Sequence, residues 1–311
     1  MKTQIADWLF LYNTIQQVVD NDLNVRLKIF YFTLEMSKEQ KMLSAFSNIL
    51  YVKEGIRIAP KDLKSTRKES LLSEETLTII AKYEPYFKKI EEIVEFIDDI
   101  RNPTGIFKFV KQYADANGTQ HKKVININGE KKEIDDWYEP NDSEEYVMVF
   151  IDHISLIATE NFGGKKLSLH ESIVHLSSNY MIRLRNKYGY IAVIVQQQAS
   201  SQESVENMKA NRLKPTMDGL GDCKLTQRDA DVILGLFSPF RHEIKHYHDY
   251  DVTFFQDNIR FLEILGGREG GGGTICPLYF DGAVNYFKEL PRPDSHEQLK
   301  GVYNFINGIR E

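Results

Sequence analysis

Three short and almost uninterrupted apolar segments constrain the fold of this chain more than any other feature of its sequence. They cover residues 146–152, 190–195 and 231–237. Runs of this kind are typical of strands that are buried on both faces of a sheet. A long segment with helical periodicity, residues 168–187, separates the first two runs. Buried strands that alternate with long helices predict an α/β fold with a largely parallel, doubly wound sheet flanked by helices.

Weaker patterns predict the rest of the sheet and its connections. Residues 26–34 indicate a further buried strand, and Ser37 is expected to begin a helix over residues 38–52. The other predicted elements are an initial helix with an apolar face over 5–19, a helix opened by Ser73, a strand at 94–97, a helix from Pro103 to about residue 114, and late strands at 259–265 and 275–280. We interpret the chain as a single domain, 1–311, with a helical tail at 291–311.

Residues 115–145 differ in character from the segments around them. Apolar and polar residues alternate on both sides of Asn128-Gly129, which is a strong hairpin signal. The acidic stretch that follows, residues 135–145, is expected to be a loop. The whole segment is therefore interpreted as a hairpin insertion on the surface of the domain, not as a second domain.

Composition and charge exclude several classes of protein. Acidic residues outnumber basic ones by 45 to 39, for a net charge of −6, which excludes a uniformly basic nucleic-acid coat but leaves room for local basic loops. Two cysteines are too few for a disulfide framework, so a reducing cytoplasm is expected. No apolar run approaches the roughly 18–20 residues that span a bilayer, and the N-terminal residues lack a signal-peptide pattern, so no membrane association is expected.

Polar side chains follow successive predicted strands at the points where those strands end. Glu35 follows the first strand, Asp152 ends the next, and Gln197 follows the third. A carboxylate at a strand end can hold Mg²⁺ near phosphates, a second carboxylate can activate water, and a glutamine can sense the γ-phosphate. Arg268, after a late strand, could neutralise developing charge. Each residue alone has an ordinary structural explanation, whereas their order on successive strands favours a nucleotide site.

Several segments match one family in both order and spacing. They are Phe-Thr-Leu-Glu-Met-Ser at 32–37, Val-Phe-Ile-Asp-His-Ile-Ser-Leu at 149–156, Ile-Val-Gln-Gln-Gln at 194–198 and Leu-Glu-Ile-Leu-Gly-Gly-Arg-Glu-Gly at 262–270. Together they resemble the RecA-like ATPase domain of DnaB-type replicative DNA helicases, including the ring helicases of phages. The resemblance runs from residue 1 to about residue 290 and is interrupted by the hairpin insertion.

The resemblance implies a RecA-like P-loop NTPase core that hydrolyses ATP with Mg²⁺. It makes Glu35 the catalytic base, Asp152 the Walker B residue that positions Mg²⁺, and Gln197 the link between nucleotide state and DNA. Arg268 would reach the ATP of the next subunit in a hexameric ring. Single-stranded DNA is the implied partner, a primase or a helicase loader is a further candidate, and the implied location is the cytoplasm of a bacterium or of a phage-infected host.

Two departures from the family pattern bear on this interpretation. Walker A loops are rich in glycine and end in Gly-Lys-Ser/Thr, whereas here only Met1-Lys2-Thr3 precedes the first helix. Lys2 would hold phosphate and Thr3 would ligate Mg²⁺ if the first strand and the rest of the loop were supplied; the alternative is that these residues are an ordinary translation start. Gly266 stands where the family usually has a lysine, which weakens the part of the site that acts across subunits.

Two locally basic segments are expected to contact DNA. They follow the first and second apolar runs, and they contain Lys165 and Lys166 in the first segment and Lys209, Arg212, Lys214 and Lys224 in the second. Contacts of this kind are made mainly to the nucleic-acid backbone and depend on salt. The alternative is that both segments are ordinary solvated loops.

Two other functions remain open at this stage. One is a RecA-like recombinase or accessory ATPase on the same fold, and the other is a truncated, catalytically inactive subunit that binds DNA or assembles with a complete partner. His242, His246 and His248 lack matched Cys or carboxylate partners, so no metal site is expected there.

Overall fold

The computed structural model describes residues 2–20, 25–66, 71–127, 129–209, 212–270 and 272–306, apart from the side chains of Val205 and Lys209. The sequence was interpreted as a single domain. In the structure the chain forms two compact units. The first unit comprises residues 1–9, 43–71 and 197–311, and the second comprises residues 10–42 and 72–196.

Strands and helices alternate through much of the chain. The strands are β1 (Arg26–Thr33), β2 (Val94–Ile97), β3 (Gly118–Ile127), β4 (Glu130–Pro140), β5 (Glu145–Asp152), β6 (Asn161–Phe162), β7 (Lys165–Lys166), β8 (Ile191–Ile194), β9 (Val232–Phe237), β10 (His246–Tyr247), β11 (Tyr250–Asp251), β12 (Ile259–Gly267), β13 (Ile275–Asp281) and β14 (Tyr286–Glu289). The α-helices are α1 (Lys2–Asp7), α2 (Asn13–Asp20), α3 (Lys38–Glu54), α4 (Pro60–Leu63), α5 (Glu74–Lys82), α6 (Glu84–Ile93), α7 (Pro103–Ala116), α8 (Leu169–Val174), α9 (Ile182–Tyr188), α10 (Val205–Lys209), α11 (Thr226–Asp229), α12 (Val252–Phe255) and α13 (His296–Ile306). Among the described residues there are also two π-helical segments, Trp8–Tyr12 and His175–Met181, and five short 3₁₀ turns.

The second unit is built on a four-stranded, all-parallel sheet in the order β2-β1-β5-β8. The apolar runs of β1 and β5 form its centre, where Ile29, Phe32, Val149 and Phe150 have no exposed surface. Strands buried on both faces need such continuous apolar sequences. The prediction of a mixed α/β chain with a parallel, helix-flanked sheet is therefore confirmed for this unit.

The late strands form a separate sheet in the first unit. Its order is β14-β13-β12-β9, and all of its neighbouring strands are antiparallel. Only residues 268–274 and 282–285 connect β12 to β13 and β13 to β14. Parallel neighbours need a crossover of about a dozen or more residues, so these short connections require antiparallel pairing. The prediction that the strands from residue 231 onward extend the parallel sheet is wrong.

The predicted hairpin is present as β3 and β4, although Asn128 lies outside the described residues. Pairing extends from Ile127 opposite Glu130 to Gly118 opposite Pro140. Residues 135–140, expected to belong to an acidic loop, are instead the end of β4. Cross-strand contacts explain this difference, because Trp137 stacks on His121 with ring centroids 4.0 Å apart.

The helix predicted over residues 168–187 is confirmed and contains an irregular turn. Ser168 and Glu171 cap its start reciprocally, through the Ser168 side chain and the Glu171 carboxylate. The helix continues through α8, the π-helical segment His175–Met181 and α9, and ends at Gly189 with a left-handed backbone conformation. Segments of π-helix often occur at functional sites.

Within the part of the chain that the structure describes, no helix combines the length and the apolar character that crossing a membrane requires.

Candidate active site

The carboxyl edge of the parallel sheet brings together two of the residues selected from the sequence. In the register between β1 and β5, Thr33 lies opposite Asp152, and the backbone N–H of Leu34 donates to the carbonyl of Asp152 at 2.7 Å. Glu35 and His153 therefore leave adjacent strands at the same edge. Ligands of α/β proteins bind at this edge of the sheet.

The carboxylate of Asp152 belongs to a buried ion cluster. Lys41 Nζ lies 2.8 Å from Asp152 Oδ2, and the two side chains are 1% and 0% exposed. Tyr31 OH accepts a hydrogen bond from Lys41 Nζ and donates one to Asp152 Oδ2 at 3.0 Å. The negative charge of Asp152 is thus balanced by a cation from the same chain. Lys41 and Tyr31 were not selected from the sequence.

The start of helix α3 explains how Lys41 reaches this position. Ser37 Oγ accepts from the backbone N–H of Gln40, and Gln40 Oε1 accepts from the backbone N–H of Ser37. This reciprocal cap fixes the first turn of the helix, and the confirmed helix extends to Glu54. A cation in the first turn is disfavoured by the helix dipole. The contacts with Asp152 and Tyr31 offset that cost.

Glu35 differs from Asp152 in being open to solvent. Its side chain is 54% exposed, and its Oε2 lies 3.7 Å from Nε2 of His153, whose side chain is 8% exposed. This separation is longer than a hydrogen bond, so the contact is electrostatic and strengthens when the imidazole carries a proton. A solvent-facing carboxylate beside a buried histidine can accept a proton from water.

The other predicted nucleotide-site residues belong to the first unit. Gln197 is exposed, and its backbone carbonyl accepts from the N–H of Gly221. The guanidinium of Arg268 lies 3.4 Å from an oxygen of Asp231 and is half exposed. Lys2 and Thr3 form the first turn of α1 and are partly exposed. The structure thus brings Glu35 and Asp152 together within one unit and places these four residues in the other.

The arrangement around Asp152 does not fit a directly bound Mg²⁺. Magnesium binds through one or two carboxylates and retains several waters, which requires an accessible oxygen. The side chain of Asp152 has no exposed surface, and Lys41 and Tyr31 share one of its oxygens. A directly bound Mg²⁺ would therefore have to displace Lys41 from the Asp152 carboxylate.

The basic residues selected for DNA binding lie on the surface where the structure describes them. Lys165 and Lys166 form β7 of a two-stranded hairpin, and both are exposed. Lys165 Nζ lies 2.6 Å from Glu171 Oε1. Hydrogen bonds from the Lys165 ammonium and then from Ser168 lower the pKa of Glu171 to about 2, so this carboxylate stays ionised at neutral pH.

The second basic segment is partly helical and belongs to the first unit. Arg212 and Lys224 are exposed, and Lys214 Nζ lies 3.5 Å from a carboxylate oxygen of Glu263. Lys209 is the last residue of α10, and its side chain lies outside the described part of the structure. A nucleic-acid phosphate would compete with Glu263 for Lys214.

Comparison with known proteins finds no family model that matches the chain and no curated protein that matches it.

Proposed function

We propose that this chain is the motor unit of a replicative DNA helicase of the DnaB type, in which ATP hydrolysis drives movement along single-stranded DNA. The observation that carries the proposal is the parallel pairing of β1 and β5. It places the exposed carboxylate of Glu35 beside Asp152 and His153 at the carboxyl edge of the sheet. An α/β ligand site with a solvent-facing general base supplies one part of what nucleotide hydrolysis requires.

Each residue of this edge has a defined part in the proposal. Glu35 accepts the proton of the attacking water at a carboxylate oxygen, and the nearby His153 keeps that side chain at the sheet edge. Asp152, held by Lys41 and Tyr31, fixes the end of β5 from which His153 projects. The cluster therefore acts as the rigid support that a positioned base needs.

Gln197 and Arg268 retain the roles that the resemblance implies. Gln197 couples nucleotide state to the DNA-binding segments, and Arg268 neutralises charge on the ATP of a neighbouring subunit in a hexameric ring. Arg268 is exposed enough to leave Asp231 for a more strongly charged phosphate.

A second candidate function is a subunit that binds single-stranded DNA without hydrolysing ATP. The buried pair of Lys41 and Asp152 favours this candidate, because the internal cation occupies the place beside the carboxylate. Such a subunit would assemble with a complete partner that supplies hydrolysis.

Hydrolysis and unwinding assays distinguish the two candidates. Phosphate release would be measured with ATP, Mg²⁺ and circular single-stranded DNA, strand displacement with a forked duplex, and subunit number by native mass spectrometry. A motor unit should show DNA-stimulated phosphate release, displacement of the strand and a hexamer. Tight binding of the single strand without phosphate release would contradict the motor proposal and support the second candidate.

The double substitution Lys165→Ala with Lys166→Ala should weaken binding to single-stranded DNA. Each lysine that contacts a phosphate contributes about 0.7 to the slope of log affinity against log salt. The double variant should therefore lower that slope by about 1.4, measured by fluorescence anisotropy with labelled oligo-dT at several salt concentrations. Lys131→Ala with Lys132→Ala, on the exposed strand β4, is the matched control. If the two double variants have equal salt slopes, β7 does not contribute to the DNA-binding surface.

A further inference from the structure

A cleft of about 450 Å³ lies in the second unit, between helix α7, the β6–β7 hairpin and the helical segment that follows it. Its lining includes aromatic rings from all three elements and cationic side chains from two of them. None of its residues belongs to the carboxyl edge of the sheet described above. The chemistry of this cleft therefore requires a separate explanation.

One side of the cleft is a continuous aromatic wall. Phe107 and Tyr180 stack with ring centroids 4.5 Å apart and an interplanar angle of 10°. His175 contacts Tyr180 on one side and Phe162 on the other, at centroid distances of 4.5 and 4.2 Å. Phe162 is 51% exposed, which leaves a flat ring surface at the mouth of the cleft. Solvent-facing aromatic rings of this kind accept planar ligands by stacking.

Cationic side chains border this aromatic wall. Lys108 and Arg183 are exposed, and neither forms a salt bridge within the residues that the structure covers. The guanidinium of Arg183 lies 5.3 Å from the centroid of the Phe107 ring. Lys111 is also in the lining, although it is paired with Asp115. Arg183 also acts electrostatically on Asp135, but as exposed cations outside any described salt bridge, Lys108 and Arg183 beside an exposed ring fit a ligand that combines an aromatic ring with phosphate.

The floor of the cleft is held in place by the buried carboxylate of Glu160. This carboxylate accepts hydrogen bonds from Asn102, from the backbone and side chain of Thr104, and from His175. Burial raises the pKa of Glu160, but these hydrogen bonds outweigh it and lower the pKa. Thr104 Oγ1 also lies 2.9 Å from Tyr180 OH. The rings are therefore positioned before a ligand arrives, which reduces the entropy lost on binding.

We propose that this cleft binds a nucleotide unit of single-stranded nucleic acid. The base stacks on Phe162, and the flanking phosphates contact Lys108 and Arg183. A single strand is the form that fits, because its bases are free to leave a stack and lie on a protein ring, whereas duplex bases are paired. Lys165 and Lys166 lie on the same hairpin as Phe162, and a phosphate that bound Lys165 would compete with the carboxylate of Glu171.

The test measures binding of labelled oligo-dT to the full chain in the absence of ATP. Phe162→Ala should lower affinity about 5- to 150-fold, the range for loss of one base-stacking ring. Lys108→Ala with Arg183→Ala should reduce the salt slope by about 1.4. Phe240→Ala, which removes a ring that is 41% exposed in the first unit, is the matched control and should bind like the parent.

Two further measurements distinguish the loss of base stacking from misfolding and from unspecific binding. Phe162→Trp keeps a stacking ring, so it should retain affinity, and its fluorescence should be quenched when oligo-dT binds. A duplex of the same length and thymidine monophosphate are the competitors, and both should compete at least tenfold more weakly than the single strand. Affinity of Phe162→Ala within twofold of the parent, or equal competition by the duplex or the mononucleotide, would overturn the proposal. Failure of the hydrolysis assay alone would contradict only the motor function.

Discussion

The substitution Glu35→Gln should lower ATP turnover by about 10²- to 10⁴-fold, the usual contribution of a positioned general base. The amide keeps the size and polarity of the side chain but cannot accept a proton from water. Because the side chain is exposed at the sheet edge, the change should leave folding intact. Affinity for a fluorescent ATP analogue should also be unchanged. DNA-stimulated phosphate release and nucleotide titration together measure these two effects.

Glu39→Gln is the matched control for this experiment. Glu39 lies four positions further along the chain, in the first turn of α3, and is exposed. Its substitution should leave turnover at the parental level. If turnover of Glu35→Gln is within threefold of the parent, Glu35 is not the general base. If nucleotide affinity falls together with turnover, Glu35 contributes to nucleotide binding instead.

The substitution Lys41→Met should lower the free energy of unfolding by about 3–5 kcal/mol, because it leaves the carboxylate of Asp152 buried without a counter-charge. Lys41 and Asp152 are 1% and 0% exposed, so solvent does not screen the remaining charge. Methionine retains most of the volume of the lysine stem, and the loss is therefore electrostatic. Urea denaturation followed by circular dichroism measures the effect.

A second substitution distinguishes this electrostatic effect from poor packing. Lys41→Met combined with Asp152→Asn removes both charges and keeps an acceptor for Tyr31 OH, so it should recover most of the lost free energy. Lys88→Met, which breaks an exposed pair with Glu84, should leave the denaturation midpoint unchanged. If the double variant is as unstable as Lys41→Met, the loss of stability arises from poor packing and not from the uncompensated charge of Asp152.

Local patterns predict the elements of the fold better than their arrangement. The apolar runs of β1 and β5, the cap at Ser37 and the alternating strands of the hairpin each depend on neighbouring residues, and their predictions are confirmed. The orientation of β9 and β12 is not encoded in such runs, since an apolar strand suits either kind of sheet. Only the lengths of the connections from β12 onward, 268–274 and 282–285, indicated the antiparallel pairing.

In the candidate site, too, local sequence patterns predict some features and not others. The neighbouring positions of Glu35 and Asp152 follow from two strand ends in one parallel sheet, which sequence patterns can predict. The partner of Asp152 is separated from it by 111 positions. No periodicity connects residues so far apart, so Lys41 is found only when the chain is folded. The roles of Gln197 and Arg268 in catalysis stay predictions.

The π-helical segment His175–Met181 has a consequence for how this chain could change over time. A π-helical turn corresponds to one residue more than an α-helix would use. Deleting a single codon between His175 and Tyr180 would let the segment revert to regular α-helix, in which the two rings, then four positions apart, would still lie on one face. The flanking helices α8 and α9 could therefore keep the faces that they turn toward the rest of the unit, so this chain could gain or lose the extra residue in a single event without rebuilding the helix.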